Sequence, residues 1–267
     1  MNCGSNKRWR QSLLLITAST AVLFLSSCAA KPHAASRLAS NQLPPIILWA
    51  WERPENLEFL DPQRFGVAFL AQTLTLQTDG VVFSPRHQPL QVGPQTRLIA
   101  VTRIESQKMT GQRAALNIAQ KEKIIALVLK TLELKNVSAI QIDFDAATSE
   151  REFYRALLQD LRRQLPDNVS LSMTALASFC LGDRWLRDLP VDEAVPMIFR
   201  MGADDRAIKN SLAAGNDFRE PLCRHSYGIA IDEPLEMQFE TSRRLYLFAN
   251  HPWSERDLAS IPLGFQN

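Results

Sequence analysis

Eight short runs of β-branched and aromatic residues punctuate this 267-residue chain, most of them separated by stretches with helical periodicity. That alternation constrains the fold more than any other feature, because strand–helix–strand units in series build parallel sheets. The runs are Ile46–Trp51, Val67–Leu76, Arg97–Ile104, Ser138–Phe144, Ser170–Leu176, Ala194–Arg200, Tyr227–Ile231 and Leu245–Ala249. Between them, Gln112–Leu134 carries apolar residues at helical spacing. Ser149 stands three residues before Glu152 as a cap for a second helix that stops at Pro166. Asp204–Ala214 forms a short helix ended by Gly215, and Ser254–Ser260 a last one. Asp79-Gly80 turns the second run into a hairpin with Val81–Phe83. The pattern predicts an α/β fold, a small (β/α)8 TIM-like barrel with shortened or irregular crossovers and a hairpin after strand two. The competing fold is an open doubly wound sheet, but no glycine-rich phosphate loop follows the first run.

The fourth run carries the chemistry. In Ser138-Ala-Ile-Gln-Ile-Asp-Phe-Asp145, side chains alternate, so Ile140, Ile142 and Phe144 face covering helices while Gln141, Asp143 and Asp145 face the barrel interior. Two carboxylates belong inside a barrel only near its open C-terminal mouth, where active sites of this fold lie. Two acids one residue apart repel, so one holds a proton that the other gives up. The bland reading is a structural pair that binds strand-end amides and arginines. Further polar residues stand at strand ends: Glu52 after the first, Arg103 and Glu105 on one face of the third, Arg200 at the sixth, Asp232 and Glu233 at the seventh, and Asn250 and His251 after the eighth. Trp49, Trp51 and Trp253 offer flat apolar faces for sugar rings, although barrel core is an equal claim on Trp49. No G-x-S-x-G elbow is present, nor a cluster that suggests a metal or cofactor.

At this strand the sequence resembles the chitinase-type (family eighteen) glycoside hydrolases, whose fourth strand ends in D-x-D-x-E. On that pattern Gln141 takes the first position, Asp143 the second and Asp145 that of the acid. Val195-Pro-Met-Ile-Phe199 is similar to those enzymes' sixth strand, with Phe199 at the place of a tyrosine. The resemblance implies Asp145 as general acid and Asp143 as the carboxylate that tunes its pKa or orients an attacking substrate group. Gln141, Trp49, Trp51, Glu52, Arg103, Glu105, Phe199, Arg200 and Asp232 would line the glycan site. A broader resemblance, over most of 45–250, is to an uncharacterised family of bacterial exported proteins, domain of unknown function 3142. It rests on Trp49-Ala-Trp51-Glu-Arg-Pro54, Gln141–Asp145 and Gly228-Ile-Ala-Ile-Asp-Glu-Pro234.

The N-terminus reads as an export signal. Lys7, Arg8 and Arg10 precede an apolar run, Leu13–Leu25, shorter than the about 20 residues of a membrane span. Leu25-Ser-Ser-Cys28-Ala29 then resembles the lipobox of bacterial lipoproteins, which implies cleavage before Cys28 and a diacylglycerol thioether on it. Ala29, in place of an aspartate, implies the outer membrane with the domain facing the periplasm. The expected organisation is a signal peptide over 1–27, a lipidated flexible tether over 28–44 and the barrel over 45–267.

Removing three cations with the signal turns the net charge of +2 into about −1, which gives no reason to expect nucleic acid. Cys180 and Cys223 remain in an oxidising compartment. Cys180 follows strand five at the mouth and Cys223 precedes strand seven at the opposite end, so free thiols are expected rather than a bridge. Three roles fit: an envelope glycoside hydrolase, a glycan-binding lipoprotein without turnover, or an assembly factor with an exposed apolar patch and no mouth cleft.

Overall fold

A computed structural model describes residues 43–107, 113–233 and 235–265. The signal peptide, Cys28 and most of the tether lie outside these residues, as does the expected helix start at Gln112. Eleven strands are present: β1 (Ile46–Ala50), β2 (Glu55–Leu57), β3 (Phe65–Leu76), β4 (Val81–Pro85), β5 (Leu90–Val92), β6 (Leu98–Ser106), β7 (Val137–Asp143), β8 (Ser170–Leu176), β9 (Glu193–Met197), β10 (Ser226–Ala230) and β11 (Arg244–Phe248). Eight of them, β1, β3 and β6 to β11, pair in parallel, and β1 bonds to both β11 and β3. The sheet therefore closes into an eight-stranded parallel barrel, and the open-sheet alternative is excluded. The register at the closing seam runs Ile46↔Leu245 on one side and Ile46↔Phe65 on the other.

The second half of β3 extends beyond the seam and takes β4 as an antiparallel partner, Leu76↔Val81 to Gln72↔Pro85. This is the hairpin expected at Asp79-Gly80. The small parallel pair of β2 and β5 was not legible in the sequence, since three residues are too few to show a period.

Alternation sorts side chains into two cores. Ile47, Trp49, Ala68, Ile99, Val101, Ala139, Val195 and Tyr246 fill the barrel interior. The opposite parity, including Leu48, Ile140, Ile142, Leu171, Met173, Leu245 and Leu247, packs outward against the crossovers. Leu43, expected in the tether, is buried in the interior cluster, so the barrel begins there rather than at residue 45.

Helices occupy four crossovers: α1 (Ile118–Lys130), α2 (Arg151–Gln164), α3 (Ala177–Leu181) and α4 (Asp205–Ala213). Helix α1 starts late because Asn117 caps it, accepting from Gln120 N while the Gln120 side chain accepts from Asn117 N. Helix α2 buries Phe153, Tyr154, Leu157, Leu158 and Leu161, each apolar side chain contributing about 1.5–3 kcal/mol. Ser149 does not cap it. That residue lies within a 3-10 turn, Thr148–Glu150, where Glu150 Oε2 instead accepts from Ala147 N at 2.7 Å. Gly215 does end the α4 segment, with φ of 81°. The last expected helix is a 3-10 segment, Glu255–Ser260.

Cys180 and Cys223 form a disulfide, Cα to Cα 5.8 Å. The expectation of free thiols is corrected because it treated the crossovers as vertical. After α4 the chain lies against α3, and Cys180 O accepts from both Arg219 N (2.9 Å) and Glu220 N (3.1 Å). With crossovers this short, the β8–β9 and β9–β10 connections meet on the outer side of the barrel.

Candidate active site

The strand ends build the site in layers. At the barrel's start, Glu193 on β9 is fully buried, paired to Arg244 Nη1 at 2.8 Å and accepting from the Tyr246 hydroxyl at 2.6 Å. Above this network Trp49 forms a floor. Its indole N–H donates to Gln141 Oε1 at 2.9 Å, and Gln141 Nε2 donates to Ser172 Oγ at 3.2 Å. Gly228 makes room for the ring: a Cβ there would stand 3.3 Å from Trp49 Cη2 and 2.9 Å from Pro196 O. Gln141 is thus corrected from a ligand-binding residue to a support, with 0% exposure and both amide ends engaged beneath the floor.

Over the floor opens a cleft of about 420 Å³. Trp49, Trp51, Arg103, Asp143, Asp145, Phe199 and Arg200 all line it, so the structure brings together most of the expected residues from the ends of four strands. Its aromatic wall is continuous. Phe199 stacks on Phe248 with centroids 5.3 Å apart and planes 13° apart, and Trp49 meets both edge-on at 6.3 Å. Arg103 lies over Trp51 at 5.3 Å and pairs with Glu105 at 2.7 Å.

Arg200 sits at φ 51°, a left-handed conformation that is costly for a side chain bearing Cβ. Glu233 holds it there by accepting from Arg200 N at 3.2 Å through each carboxylate oxygen. The guanidinium lies over Phe248 at 5.3 Å and reaches Asp232 at 3.6 Å.

Three expected residues stand off the cleft wall. Glu52 is exposed beyond it, while Asp232 acts behind Arg200 and accepts from Asn250 at 2.8 Å. Glu105 lines a neighbouring cavity instead. Trp253 is no sugar platform: it is buried, and its indole donates to Trp49 O at 2.8 Å. His251 bonds Asn250 and Asp257 at the surface. Conversely, Thr174, Met197, Met201, Asp204 and Phe248 line the cleft without having been singled out. The signal for Thr174 was present, because Ser170, Ser172 and Thr174 put small polar groups on the inward face of β8.

The two carboxylates differ. Asp145 is exposed at the rim, two residues past the end of β7. Asp143 reaches the cleft from deeper in the wall and accepts from the Thr174 hydroxyl at 2.7 Å. Burial pushes its pKa above the ordinary carboxylate range, the Thr174 hydrogen bond opposes this, and the charge of Asp145 adds to it. Among the described residues neither carboxylate is in an ion pair, which a purely structural D-x-D would require.

A folded-state pKa above the unfolded value means that the native state holds this proton longer. The associated stability is complete at low pH and lost as pH rises through the folded pKa. Asp143→Asn should therefore be more thermally stable than wild type at about pH 7, with the gain shrinking toward about pH 4, near the unperturbed value. Melting curves at both pH values decide it, and equal melting temperatures at pH 7 would contradict the burial argument.

Among known protein families, one model matches part of the chain. Domain of unknown function (DUF3142) matches residues 96–195. That span holds β6 to β8 and the start of β9, and with them Arg103, Asp143, Asp145 and Thr174. The match is narrower than the expected 45–250, leaving the Trp49–Pro54 and Gly228–Pro234 segments outside it. Among solved structures, the spore cortex-lytic enzyme SleL of Bacillus cereus is similar at 17% identity and a TM-score of 0.47, over 70% of this chain and 51% of that one. The chain thus spans about half the length of that structure. No curated protein matches it.

Proposed function

We propose that the cleft binds a hexosamine-containing glycan of the cell envelope and cleaves its glycosidic bond. The observation that carries this is the placing of two carboxylates, Asp143 and Asp145, in no ion pair among the described residues, in the wall of an open, aromatic-lined cleft at the C-terminal mouth of a parallel barrel. Both acids come from one strand, so they stand on one side of a bound sugar and do not flank it as the two-carboxylate scheme requires. That geometry suits attack by the substrate's own acetamido oxygen on the anomeric carbon. Asp145, at the rim, gives its proton to the departing glycosidic oxygen. Asp143, deeper, accepts the acetamido N–H and steadies the ring formed on the sugar. Water then opens that ring and returns a proton to Asp145. Phe199 and Met197 offer the acetamide methyl an apolar wall. A hydrolysis and binding screen of residues 43–267, which contain the barrel, tests the reading with N-acetylhexosamine oligomers and aryl glycosides. Absence of both turnover and binding across the screen defeats it.

A second reading, glycan binding without turnover, draws on two observations. Asp145 is one methylene shorter than the glutamate of the resembling enzymes, and Phe199 lacks a hydroxyl. It expects no turnover in wild type and altered affinity in both aspartate variants. The assembly-factor reading required a mouth without a cleft.

We further propose export and lipid anchoring through Cys28, with the domain facing the periplasm from the outer membrane. The lipobox-like Leu25–Ala29 segment supports this, and so does the Cys180–Cys223 disulfide, which persists in oxidising compartments. Among the described residues no helix is long and apolar enough to cross a membrane. Several buried acyl chains, at about 0.8 kcal/mol per methylene, suffice for stable attachment. Cys28→Ser should move the protein from the detergent phase to the aqueous phase or leave it uncleaved; identical partitioning and mass for variant and wild type would refute the anchor.

A further inference from the structure

The strand pairing of β1 ends at Ala50, so no ladder holds the chain that follows, and Trp51 of the cleft wall is its first residue. The backbone carbonyls there need partners, and one side chain supplies most of them. Arg86 Nη1 donates to Trp51 O and, at 3.4 Å, to Ala50 O, while Nη2 donates to Arg53 O at 2.5 Å. Its Nε donates to Gln88 O at 2.9 Å, so all three nitrogens of the guanidinium are engaged.

The barrel wall aims this arginine. The register of β3 against β6 shifts between Leu70 and Gln72, which leaves Ala71 as a bulge. Ala71 O accepts from Arg86 N at 2.9 Å, one step beyond the last β3–β4 pair, Gln72↔Pro85. The side chain therefore starts from a fixed point on the barrel and crosses to the end of β1. Arg53, within the captured stretch, extends the corner: it pairs with Glu55 at 2.8 Å and donates to Ala249 O, just past β11, at 2.5 Å. On the cleft side Trp51 meets Phe248 edge-on at 6.2 Å.

We infer that Arg86 is a positioning residue, which from outside the cleft sets the place and plane of Trp51 in the cleft wall. The β3–β4 hairpin thereby serves the site without lining it, since it carries Arg86 at its base. This rests on the glycan reading above and deepens it: Trp51 is the flat face offered to a sugar ring, and Arg86 decides how squarely the ring is met. Carbonyls of several residues in a fan match the planar fork of an arginine, whereas lysine has one nitrogen to offer. Burial lowers the pKa of the guanidinium, and Glu55 and Glu52 oppose this, so the exposed Glu52 supports the clamp although it stands off the cleft.

Fluorine NMR of the full-length protein in detergent, labelled with 5-fluorotryptophan, tests the clamp, with signals assigned through Trp51→Phe and Trp185→Phe. In Arg86→Lys and Arg86→Gln the Trp51 signal should shift or split, while that of Trp185, on the β8–β9 connection, should stay in place. Kd for an N-acetylglucosamine tetramer should weaken about tenfold in Arg86→Lys. It should weaken no further when Arg86→Lys is added to Trp51→Ala, because residues that act as a unit do not add. An unmoved Trp51 signal in both variants overturns the clamp. Movement of Trp185 together with Trp51 marks a general loss of structure and overturns it too. Additive losses of affinity do the same, since Arg86 would then act apart from Trp51. If wild type binds no tetramer, the glycan reading falls and the Trp51 signal alone decides the clamp.

Discussion

Asp145→Asn is expected to slow hydrolysis of a glycoside with a poor leaving group by about 10²–10⁴-fold, the usual contribution of a positioned general acid. The effect follows from placement. Asp145 is the carboxyl at the solvent edge of the cleft, where a glycosidic oxygen linking one sugar to the next would pass. The amide of asparagine keeps the shape and hydrogen-bonding capacity but has no proton to give. Because the residue is exposed and in no ion pair among the described residues, its replacement should leave the melting temperature nearly unchanged, within the about 0.5 kcal/mol usual for surface positions. An activated aryl glycoside departs without help, so the same variant should lose far less on it. Equal losses on both substrates would assign Asp145 to binding rather than proton transfer. Asp143→Asn should lose activity on both, because the attacking group of the substrate is misoriented whatever the leaving group. The pair is thus separable by leaving-group dependence.

The legible parts of the fold were those governed by alternation. All eight barrel strands and the hairpin lie within a few residues of their expected positions, because each strand's inward and outward residues differ in kind. Gln141, Asp143 and Asp145 show inward polarity against Ile140, Ile142 and Phe144, and the two cores separate along that parity. What alternation cannot show is depth. Gln141 and Asp143 share a face, yet one lies sealed under Trp49 and the other in the cleft, and only barrel closure sets the level at which solvent begins. Trp253 misled for the same reason: its indole proton is taken by Trp49 O, a partner 204 residues away in sequence. Irregular connections were the least legible. Arg200 and Glu233 come from different loops, and their clamp depends on a left-handed backbone at a non-glycine residue, for which the sequence carries no marker.

The disulfide is where the connections matter most for stability. Its two cysteines are 43 residues apart, and closing a loop of that length in the unfolded chain removes entropy worth about 4 kcal/mol in the chain-entropy treatment. The loop contains β9, α4 and most of the residues that line the cavity beside α4. Both cysteines are fully buried, so the variant Cys180→Ala/Cys223→Ala should unfold at markedly lower denaturant concentration, with a loss of about 2–5 kcal/mol. The loss should act on the α4 side of the barrel before it acts on the global fold. Arg219 N and Glu220 N both bond to Cys180 O, so freeing the bridge loosens the segment that carries Arg219 against α3. Reduction under mild denaturant should therefore raise hydrogen exchange in residues 205–223 ahead of β6 and β7, which hold the carboxylates. Mass spectrometry of alkylated, unreduced protein provides the first check, since two alkylated thiols would show that no bridge forms. If the bridge is present but its removal leaves both the unfolding midpoint and the exchange pattern unchanged, then packing between α3 and the segment before β10 holds these two connections together without it.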